Sequence, residues 1–218
     1  EKLGIRSDRL RFKEHGPGEL AHYAKAAFDI EYLFPFGWQE LEGIHNRTDY
    51  DLSRHSEFSG KDLTYLEEQS RERYVPYIIE TSAGLTRSVL MAISDAYDEE
   101  EVAEGDTRTV LRFHPKIAPI TVGVFPLVKK DGLAELAREI EADLREDFAT
   151  FYDQSGAIGR RYRRQDEAGT PFCVTIDYET KEENTVTLRF RDSMEQVRVP
   201  VSGLAERIRT AIKEYKRV

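Results

Sequence analysis

The stretch TVGVFPLVKKDGLAELAREIEADLREDF, residues 121–148, decides the fold of the second half of this chain. Its first eight residues are a continuous apolar run, typical of a parallel strand that is covered on both faces. The rest predicts a helix over residues 131–148, because five apolar residues fall on one side: Leu133, Leu136, Ile140, Leu144 and Phe148. A strand followed by a long amphipathic helix predicts a right-handed crossover and at least one parallel strand pair.

The sequence that follows continues this α/β pattern. ATFYD predicts a short strand, and SGAIGRRYRRQDEAG, residues 155–169, predicts a turn that leads into a helix. PFCVTIDYET, TVTLRFRD and MEQVRVPV predict three successive strands, and the closing helix is predicted over residues 202–217. The predicted order is therefore β-α-β-α-β-β-β-α, a small α/β domain.

The first half of the chain predicts a different mixture of elements. Residues 34–46, FPFGWQELEGIHN, alternate in character and predict a strand. Residues 73–97 predict a strand, a tight turn and a helix, whereas residues 16–31 predict a turn and then a short helix. Residues 98–106, DEEEVAEGD, show no apolar periodicity and predict an exposed acidic loop.

The composition is that of a globular protein with a core of its own. Of the 218 residues, 39% are hydrophobic and 33% charged, and the mean hydropathy is −0.59. No apolar run approaches the roughly 18 residues that a membrane-spanning helix needs, and no signal peptide is recognisable. The single cysteine, Cys173, excludes an internal disulfide framework and predicts a small core residue. We therefore expect a cytosolic protein without a membrane partner.

The charge is distributed unevenly along the chain. All of the formal charge of −9 lies in residues 1–114, which hold 14 Lys and Arg against 23 Asp and Glu, while the remainder holds 18 against 18. Within the neutral half, four arginines surround Tyr162, namely Arg160, Arg161, Arg163 and Arg164. Such a cluster can contact phosphates. The alternative, favoured on composition alone, is a solvated helix face paired to Asp166 and Glu167.

The segment ETSAG, residues 80–84, contains the first candidate site. A carboxylate at the end of a strand needs a positive partner, which either a protein arginine or a ligand ammonium group could supply to Glu80. Ser82 offers a hydroxyl beside it, and small residues follow. Arg87 lies in the first turn of the predicted helix, where the dipole disfavours a cation unless an anion such as a phosphate is also bound there.

Other residues that could bind a metal or nucleotide give weaker signals. Glu40 and Glu42 are predicted to share a strand face, a spacing that could hold Mg²⁺. The histidines show no zinc-binding spacing, so no metal site is predicted from them. The GAIG sequence lacks the full glycine pattern of a nucleotide-binding loop, and a structural turn is the favoured interpretation.

Four long segments together carry a resemblance to a known family. They are HGPGELAHYAKAAFDIE, FGWQELEGIHNRTDYDLSRH, YVPYIIETSAGLTRSVL and GAIGRRYRRQDEAGTPFCVTIDYET. These segments resemble the C-terminal half of the homodimeric, class II glycyl-tRNA synthetases. The resemblance implies an α+β / α/β chain: residues 1–112 as the end of an antiparallel catalytic domain, and residues 113–218 as a mixed-sheet α/β anticodon-binding domain.

The resemblance also implies roles for individual residues. The GLTR element is similar to class II motif 3, so Arg87 would contact the γ-phosphate of ATP and would be catalytic together with Glu40. Glycine would be bound by the ETSAG residues Glu80, Thr81, Ser82, Ala83 and Gly84. ATP would be bound by Glu40, Leu41, Gly84, Leu85, Thr86 and Arg87. The arginine cluster Arg160, Arg161, Arg163 and Arg164 would contact the tRNA backbone.

The implied reaction is ATP-dependent formation of glycyl-adenylate, followed by transfer of glycine to tRNA-Gly. Its implied partners are glycine, ATP with Mg²⁺, tRNA-Gly and a second subunit of the full-length homodimer. Motifs 1 and 2 of the class would lie before Glu1, so we expect a fragment that does not form adenylate by itself. The alternative hypothesis is a noncatalytic module that reuses the synthetase fold to bind nucleic acid or to serve as an accessory subunit.

Overall fold

A computed structural model describes residues 3–216, so Glu1 and the end of the predicted closing helix, Arg217, lie outside the described residues. The chain divides into two compact units. The first unit is Arg6–Met91, and the second comprises residues 92–216 together with residues 3–5. The domain boundary expected near residue 112 stays a prediction.

The first unit is built on a four-stranded antiparallel sheet. Its strands, in spatial order, are β1 (Leu10–Glu14), β2 (Ala26–Phe34), β3 (Gly37–Asn46) and β6 (Ile79–Ala83). Between β3 and β6 the chain forms helix α1 (Tyr50–Ser59) and a two-stranded ribbon of β4 (Tyr65–Leu66) and β5 (Arg73–Tyr74). Helix α2 (Leu85–Ala96) begins two residues after β6 ends. The strand predicted over residues 34–46 is confirmed from Gly37 onward. The strand, turn and helix predicted over residues 73–97 are found, except that the strand is divided into β5 and β6.

The helix predicted within residues 16–31 is wrong, because its second part is strand β2. Every residue of β2 pairs across to β3, and Phe28 to Tyr32 also pair with β1. The apolar residues at helical spacing misled the prediction, since β2 lies between two neighbours and packs side chains on both of its faces. Hydrogen bonding to two strands outweighs local helix propensity here.

The second unit opens with a β-hairpin where an acidic loop was predicted. Strands β7 (Tyr97–Ala103) and β8 (Asp106–Leu111) are antiparallel, and Gly105 in the connecting turn has a φ of 74°. The loop prediction is wrong because these residues form a strand, in which alternate acidic side chains pair with arginines. Glu100 accepts hydrogen bonds from Arg108 and Arg112, and Asp98 accepts one from Arg112 at 2.8 Å.

The rest of the second unit is a five-stranded mixed sheet of order β10-β9-β11-β12-β13. Its strands are β9 (Val122–Pro126), β10 (Thr150–Tyr152), β11 (Phe172–Ile176), β12 (Thr185–Phe190) and β13 (Gln196–Pro200). Its helices are α3 (Leu133–Arg145), α4 (Ile158–Ala168), α5 (Tyr178–Glu183) and α6 (Leu204–Glu214). Strand β9 is parallel to both β10 and β11, which confirms the predicted parallel pairing.

From β9 onward, the predicted element order of the second unit is correct except for one added helix. Helix α5 begins at a capping box, in which the Asp177 side chain accepts a hydrogen bond from the backbone of Thr180 at 3.1 Å. The core of the unit lies between the sheet and helices α3 and α6, and strands β9 and β11 are buried throughout. Cys173 is 1% exposed, and burial raises its pKa to about 12, as expected for a core thiol. The mixed α/β fold class is confirmed.

Candidate functional site

One face of the first unit's sheet carries most of its polar side chains. Directly paired residues on neighbouring strands point to the same face, so the strand register assigns each side chain. The pairs Arg11–Glu31, Lys13–Asp29 and Glu31–Glu40 fall on this face, as do Gly43–Ser82 and His45–Glu80. We call it the polar sheet face, made up of Arg11, Lys13, Asp29, Glu31, Glu40, Gly43, His45, Glu80 and Ser82.

A β-bulge in β3 separates two carboxylates that were predicted to lie together. Glu40 pairs with Glu31 and Glu42 pairs with Ile30, so Leu41 is the extra residue. Because Glu31 and Ile30 are neighbours in β2, Glu40 and Glu42 point to opposite faces. The same arrangement brings Glu40 Oε1 to 3.7 Å from the position that a Cβ on Gly43 would occupy. The prediction that Glu40 and Glu42 share a face is therefore wrong.

Glu80 is held by an arginine that the sequence did not single out. Arg47 donates from Nη1 to Glu80 Oε2 at 2.7 Å, and His45 Nδ1 lies 3.8 Å from the same oxygen. Arg47 is itself fixed, because its Nε and Nη2 bind both oxygens of Asp51 and its guanidinium lies 4.0 Å from the centre of the Tyr23 ring. The structure thus contains the protein ion pair that was one of the two partners considered for Glu80.

Within this cluster, the Arg47–Asp51 pair shifts the pKa values of both of its members. The hydrogen bond from Arg47 lowers the pKa of Asp51, and the hydrogen bonds to Asp51 and then to Glu80 raise the pKa of Arg47. The Glu80 side chain is still 35% exposed, so solvent and a ligand can reach it. Glu80 therefore has a fixed cation on one side and an open approach from the other.

The ETSAG residues do not all face the same way. Strand alternation puts Glu80 and Ser82 on the polar sheet face, whereas Thr81 and Ala83 pair with Ile44 and Glu42 on the opposite face. The small residue next to Ser82 on the polar face is Gly43, its partner in β3. A Cβ on Gly43 would lie 3.2 Å from His45 Cε1, so the glycine keeps this part of the face clear.

The start of helix α2 lies at the edge of this sheet. Arg87 is exposed, and its Nη1 donates to the backbone carbonyl of Glu40 at 2.7 Å. Ser88 donates both its backbone N–H and its hydroxyl to the Gly84 carbonyl. Of the other residues expected to bind ATP, Leu85 and Thr86 are exposed and Leu41 is half-buried. The structure thus brings Arg87 and Glu40 together.

Two buried carboxylates complete the polar sheet face. Asp29 and Glu31 are each 7% exposed, and both are paired: Asp29 with His15 at 2.8 Å, and Glu31 with Arg11 at 2.6 Å. The hydrogen bond to Asp29 raises the pKa of His15. Among the residues that the structure describes, no group of three or more His, Cys, Asp or Glu is arranged to hold a metal ion.

In the second unit, the arginine cluster of helix α4 divides into different environments. Arg161 is 2% exposed, and its guanidinium donates to the carbonyls of Pro126, Leu127, Asp153 and Gly156. Arg161 therefore ties together the loops after β9 and β10. The other three arginines reach the surface, of which Arg163 pairs with Asp106 at 2.7 Å and Arg164 with Asp153 at 2.5 Å. Arg160 is exposed.

Asp166 has a different partner from the one expected. It was predicted to neutralise the surface arginines of its own helix, but it is fully buried and accepts two hydrogen bonds from Arg189, at 2.8 and 2.9 Å. Arg108 of the hairpin donates a third, at 3.1 Å. Neither arginine lies near Asp166 in sequence, so no local pattern could have identified the pair.

Comparison with known proteins identifies relatives of this chain. A family model described as "Anticodon binding domain" matches residues 121–211, which include the whole mixed sheet of the second unit. The full chain is 68% identical to "Glycine--tRNA ligase" of Treponema denticola. The chain is homologous to one part of the glycine–tRNA ligases. Other ligases with that description are 62% identical in Borrelia hermsii and 53% identical in Treponema pallidum, again over all of this chain.

These alignments cover all of this chain but only part of each relative. The chain spans about half the length of the glycine–tRNA ligases that it matches, between 49% and 52% of them. The anticodon binding domain at residues 121–211 fits the expected C-terminal half. Within the part of the chain that the structure describes, no helix is long and apolar enough to cross a membrane.

Proposed function

We propose that the protein containing this chain attaches glycine to tRNA-Gly, and that the chain supplies part of its glycine and ATP site together with the unit that binds the anticodon. The observation that carries this proposal is the likeness to glycine–tRNA ligases over the whole chain, at 53–68% identity. The reaction would form glycyl-adenylate and pyrophosphate, and then transfer glycine to the 3′ end of the tRNA. The protein would be a class II homodimer in the cytoplasm.

Glycine would bind on the polar sheet face. The Glu80 carboxylate, oriented by Arg47, would accept hydrogen bonds from the ammonium group, and the Ser82 hydroxyl would offer another polar contact. Gly43 supports this location because it leaves the surface beside Ser82 free of a side chain. Steric exclusion of larger amino acids would then account for specificity.

ATP would lie at the neighbouring edge, where Arg87 meets the backbone of Glu40. An exposed guanidinium held by one hydrogen bond keeps other N–H groups available for phosphate oxygens. Leu41, Gly84, Leu85 and Thr86 belong to the same edge and would contact the nucleotide. Mg²⁺ would arrive with ATP, and we assign it no protein ligands because Glu40 and Glu42 point to opposite faces.

The Arg47–Glu80 ion pair also favours a second candidate function. A carboxylate that already has a protein cation does not need a ligand, and this would suit a noncatalytic module that binds nucleic acid or assists another subunit. The exposure of Glu80, Ser82 and Arg87 on the polar sheet face argues for the enzyme, because a purely structural pair gains nothing from an open approach.

An assay of adenylate formation tests whether the isolated chain holds a complete catalytic site. We expect the 218-residue chain to show no glycine-dependent exchange of pyrophosphate into ATP, because the proposed site needs residues from the half of the ligases that the chain does not span. The assay is run beside a glycine–tRNA ligase of full length as the positive control. Exchange by the isolated chain would contradict the proposed division of the site.

Binding of tRNA-Gly tests the second unit. The chain is expected to bind a tRNA-Gly transcript, and Arg160→Glu is expected to weaken binding, since exposed arginines contact phosphates. Loss of one such contact should reduce the slope of log affinity against log salt by about 0.7–0.9. The matched control is Arg54→Glu, the same substitution at an exposed arginine on helix α1 of the first unit. An equal loss of tRNA affinity in both variants would contradict a specific role for Arg160. Arg161 is not used for this test because it is buried.

A further inference from the structure

A cavity in the second unit lies outside every site considered so far. It has a volume of about 270 Å³ and opens beside the amino end of β11 and the last turns of α6. Its lining includes aromatic, charged and polar side chains, namely Phe172, Phe190, Ser193, Arg207, Glu214 and Tyr215. Pockets that enclose drug-sized ligands have roughly 300–1,000 Å³, so this one suits a smaller group such as a single nucleoside.

An aromatic wall with a cation beside it forms one side of this cavity. Phe172 and Phe190 are cross-strand partners with their rings edge to face, 5.8 Å between centres. The guanidinium of Arg207 lies 5.5 Å from the centre of the Phe190 ring and is exposed to solvent. Aromatic rings and arginine planes are the surfaces on which unstacked nucleobases pack in proteins that bind single-stranded nucleic acid.

The opposite rim offers groups for hydrogen bonding and for charge. Glu214 is the last residue of α6, where helix carbonyls also carry partial negative charge, and Tyr215 follows it with its hydroxyl already bound to Arg191 at 3.4 Å. Such acceptors suit the exocyclic amine of adenine, cytosine or guanine better than the carbonyl that uracil has in its place. Lys216 is exposed at the same rim and can meet a phosphate.

The floor of the cavity is rigid. Arg191 is 1% exposed and donates to the carbonyls of Phe113 and Gly169 and to both oxygens of Asp192. Burial acts to raise the pKa of Asp192, but the hydrogen bond and charge of Arg191, a hydrogen bond from Tyr215 and the charge of Arg112 together lower that pKa. The cavity is therefore part of the folded unit and is not a gap between loose loops.

We propose that this cavity binds one nucleotide, with its base against the Phe190–Arg207 wall, its exocyclic amine toward Glu214 and its phosphate beside Lys216. The nucleotide is either free or an unstacked nucleotide of RNA. Only the second source rests on the proposed function, through the tRNA that the anticodon-binding unit would hold.

The test is amide chemical-shift mapping on the full 218-residue chain. CMP and AMP are expected to shift the amides of Ser193 and Tyr215 in a saturable way, and UMP to bind more weakly. Arg207→Glu is expected to lower CMP affinity by about 5- to 150-fold, the range for loss of one base-stacking partner. Lys213→Glu is the matched control, because it makes the same charge change on α6 at a residue that does not line the cavity.

The outcomes show whether the cavity binds a nucleotide and whether that nucleotide is free or part of RNA. Shifts at these amides with CMP and with tRNA-Gly support an RNA nucleotide, and shifts with CMP alone support a free one. If tRNA-Gly does not bind while CMP still shifts them, the site stands and the tRNA part of the proposed function fails. If no nucleotide shifts them, or if Lys213→Glu weakens binding as much as Arg207→Glu, the cavity proposal is overturned, whether or not tRNA binds elsewhere.

Discussion

Replacing Asp166 with asparagine is expected to lower the free energy of unfolding by about 3–5 kcal/mol, the cost of removing one partner from a buried ion pair. Asp166 is fully buried and receives three hydrogen bonds from Arg189 and Arg108, which are 5% and 1% exposed. Asparagine keeps the shape of the side chain, but it removes the negative charge that compensates both guanidinium groups. The Arg189 cation then stays buried without its carboxylate, while Arg108 keeps only its ion pair with Glu100.

The measurement is equilibrium urea denaturation, with Asp147→Asn as the matched control. Asp147 also accepts a hydrogen bond from an arginine, Arg209, but both side chains are well exposed, at 37% and 47%. Exposed pairs contribute about 0–1 kcal/mol, so the control should change little. Equal destabilisation by the two substitutions would show that the buried Asp166 pairs contribute no more to the free energy of unfolding than an exposed pair does.

This network also explains how the hairpin β7–β8 is joined to the mixed sheet. Arg108 lies on β8, Asp166 on α4 and Arg189 on β12, so one carboxylate connects three elements that are distant in sequence. Arg108 donates further to the carbonyl of Arg191 at 2.8 Å. Because such pairs require exact partners, they fix one arrangement of the elements better than apolar contacts do.

Most strands and helices of the second unit could be predicted because the local sequence shows which of their residues are buried. Strand β9 is covered on both faces and therefore reads as an unbroken apolar run, and α3 shows one apolar stripe. Helix α5 was missed because it has only six residues and depends on a capping box at Asp177 rather than on periodicity. Short helices of this kind depend on their cap more than on a hydrophobic face.

The polar sheet face could be predicted only in part, because its geometry depends on pairing between distant strands. Glu80, Ser82 and Arg87 stood out from the order of residues along the chain. The bulge at Leu41, which turns Glu42 away from Glu40, is a property of the β2–β3 register. The same limit hid the acidic hairpin, whose carboxylates on β7 are matched by arginines on and after β8.

Arg47 and Gly43 are the residues of the proposed glycine site that the sequence did not single out. Arg47 follows β3 directly and reaches Glu80 because β3 and β6 are neighbours in the sheet. Gly43 lies in the middle of a predicted strand, and a glycine in that position often marks a close approach of a ligand or of another backbone. That signal was available in the sequence, whereas the Arg47 contact required the strand order.

Replacing Glu80 with glutamine is expected to raise the KM for glycine by about 10- to 150-fold, the range for losing one hydrogen bond to a charged group. The amide keeps the size of the carboxylate and can still accept a hydrogen bond from Arg47, but it no longer attracts an ammonium group. The KM for ATP should stay near its original value, because the proposed ATP contacts lie at Arg87 and Glu40. The assay is glycine-dependent pyrophosphate exchange, in an active protein that joins this chain to the other half of a glycine–tRNA ligase.

Glu42→Gln provides the control on the same sheet. It makes the same chemical change one strand away, but the bulge at Leu41 directs Glu42 to the opposite face, so its substitution should leave both KM values unchanged. An equal rise in the glycine KM for the two variants would mean that glycine responds to the overall charge of the sheet and not to a specific contact with the Glu80 carboxylate. A rise in the ATP KM with Glu80→Gln would place the nucleotide, and not glycine, beside Glu80. A normal glycine KM in that variant would show that the carboxylate serves only its ion pair with Arg47 and does not bind glycine.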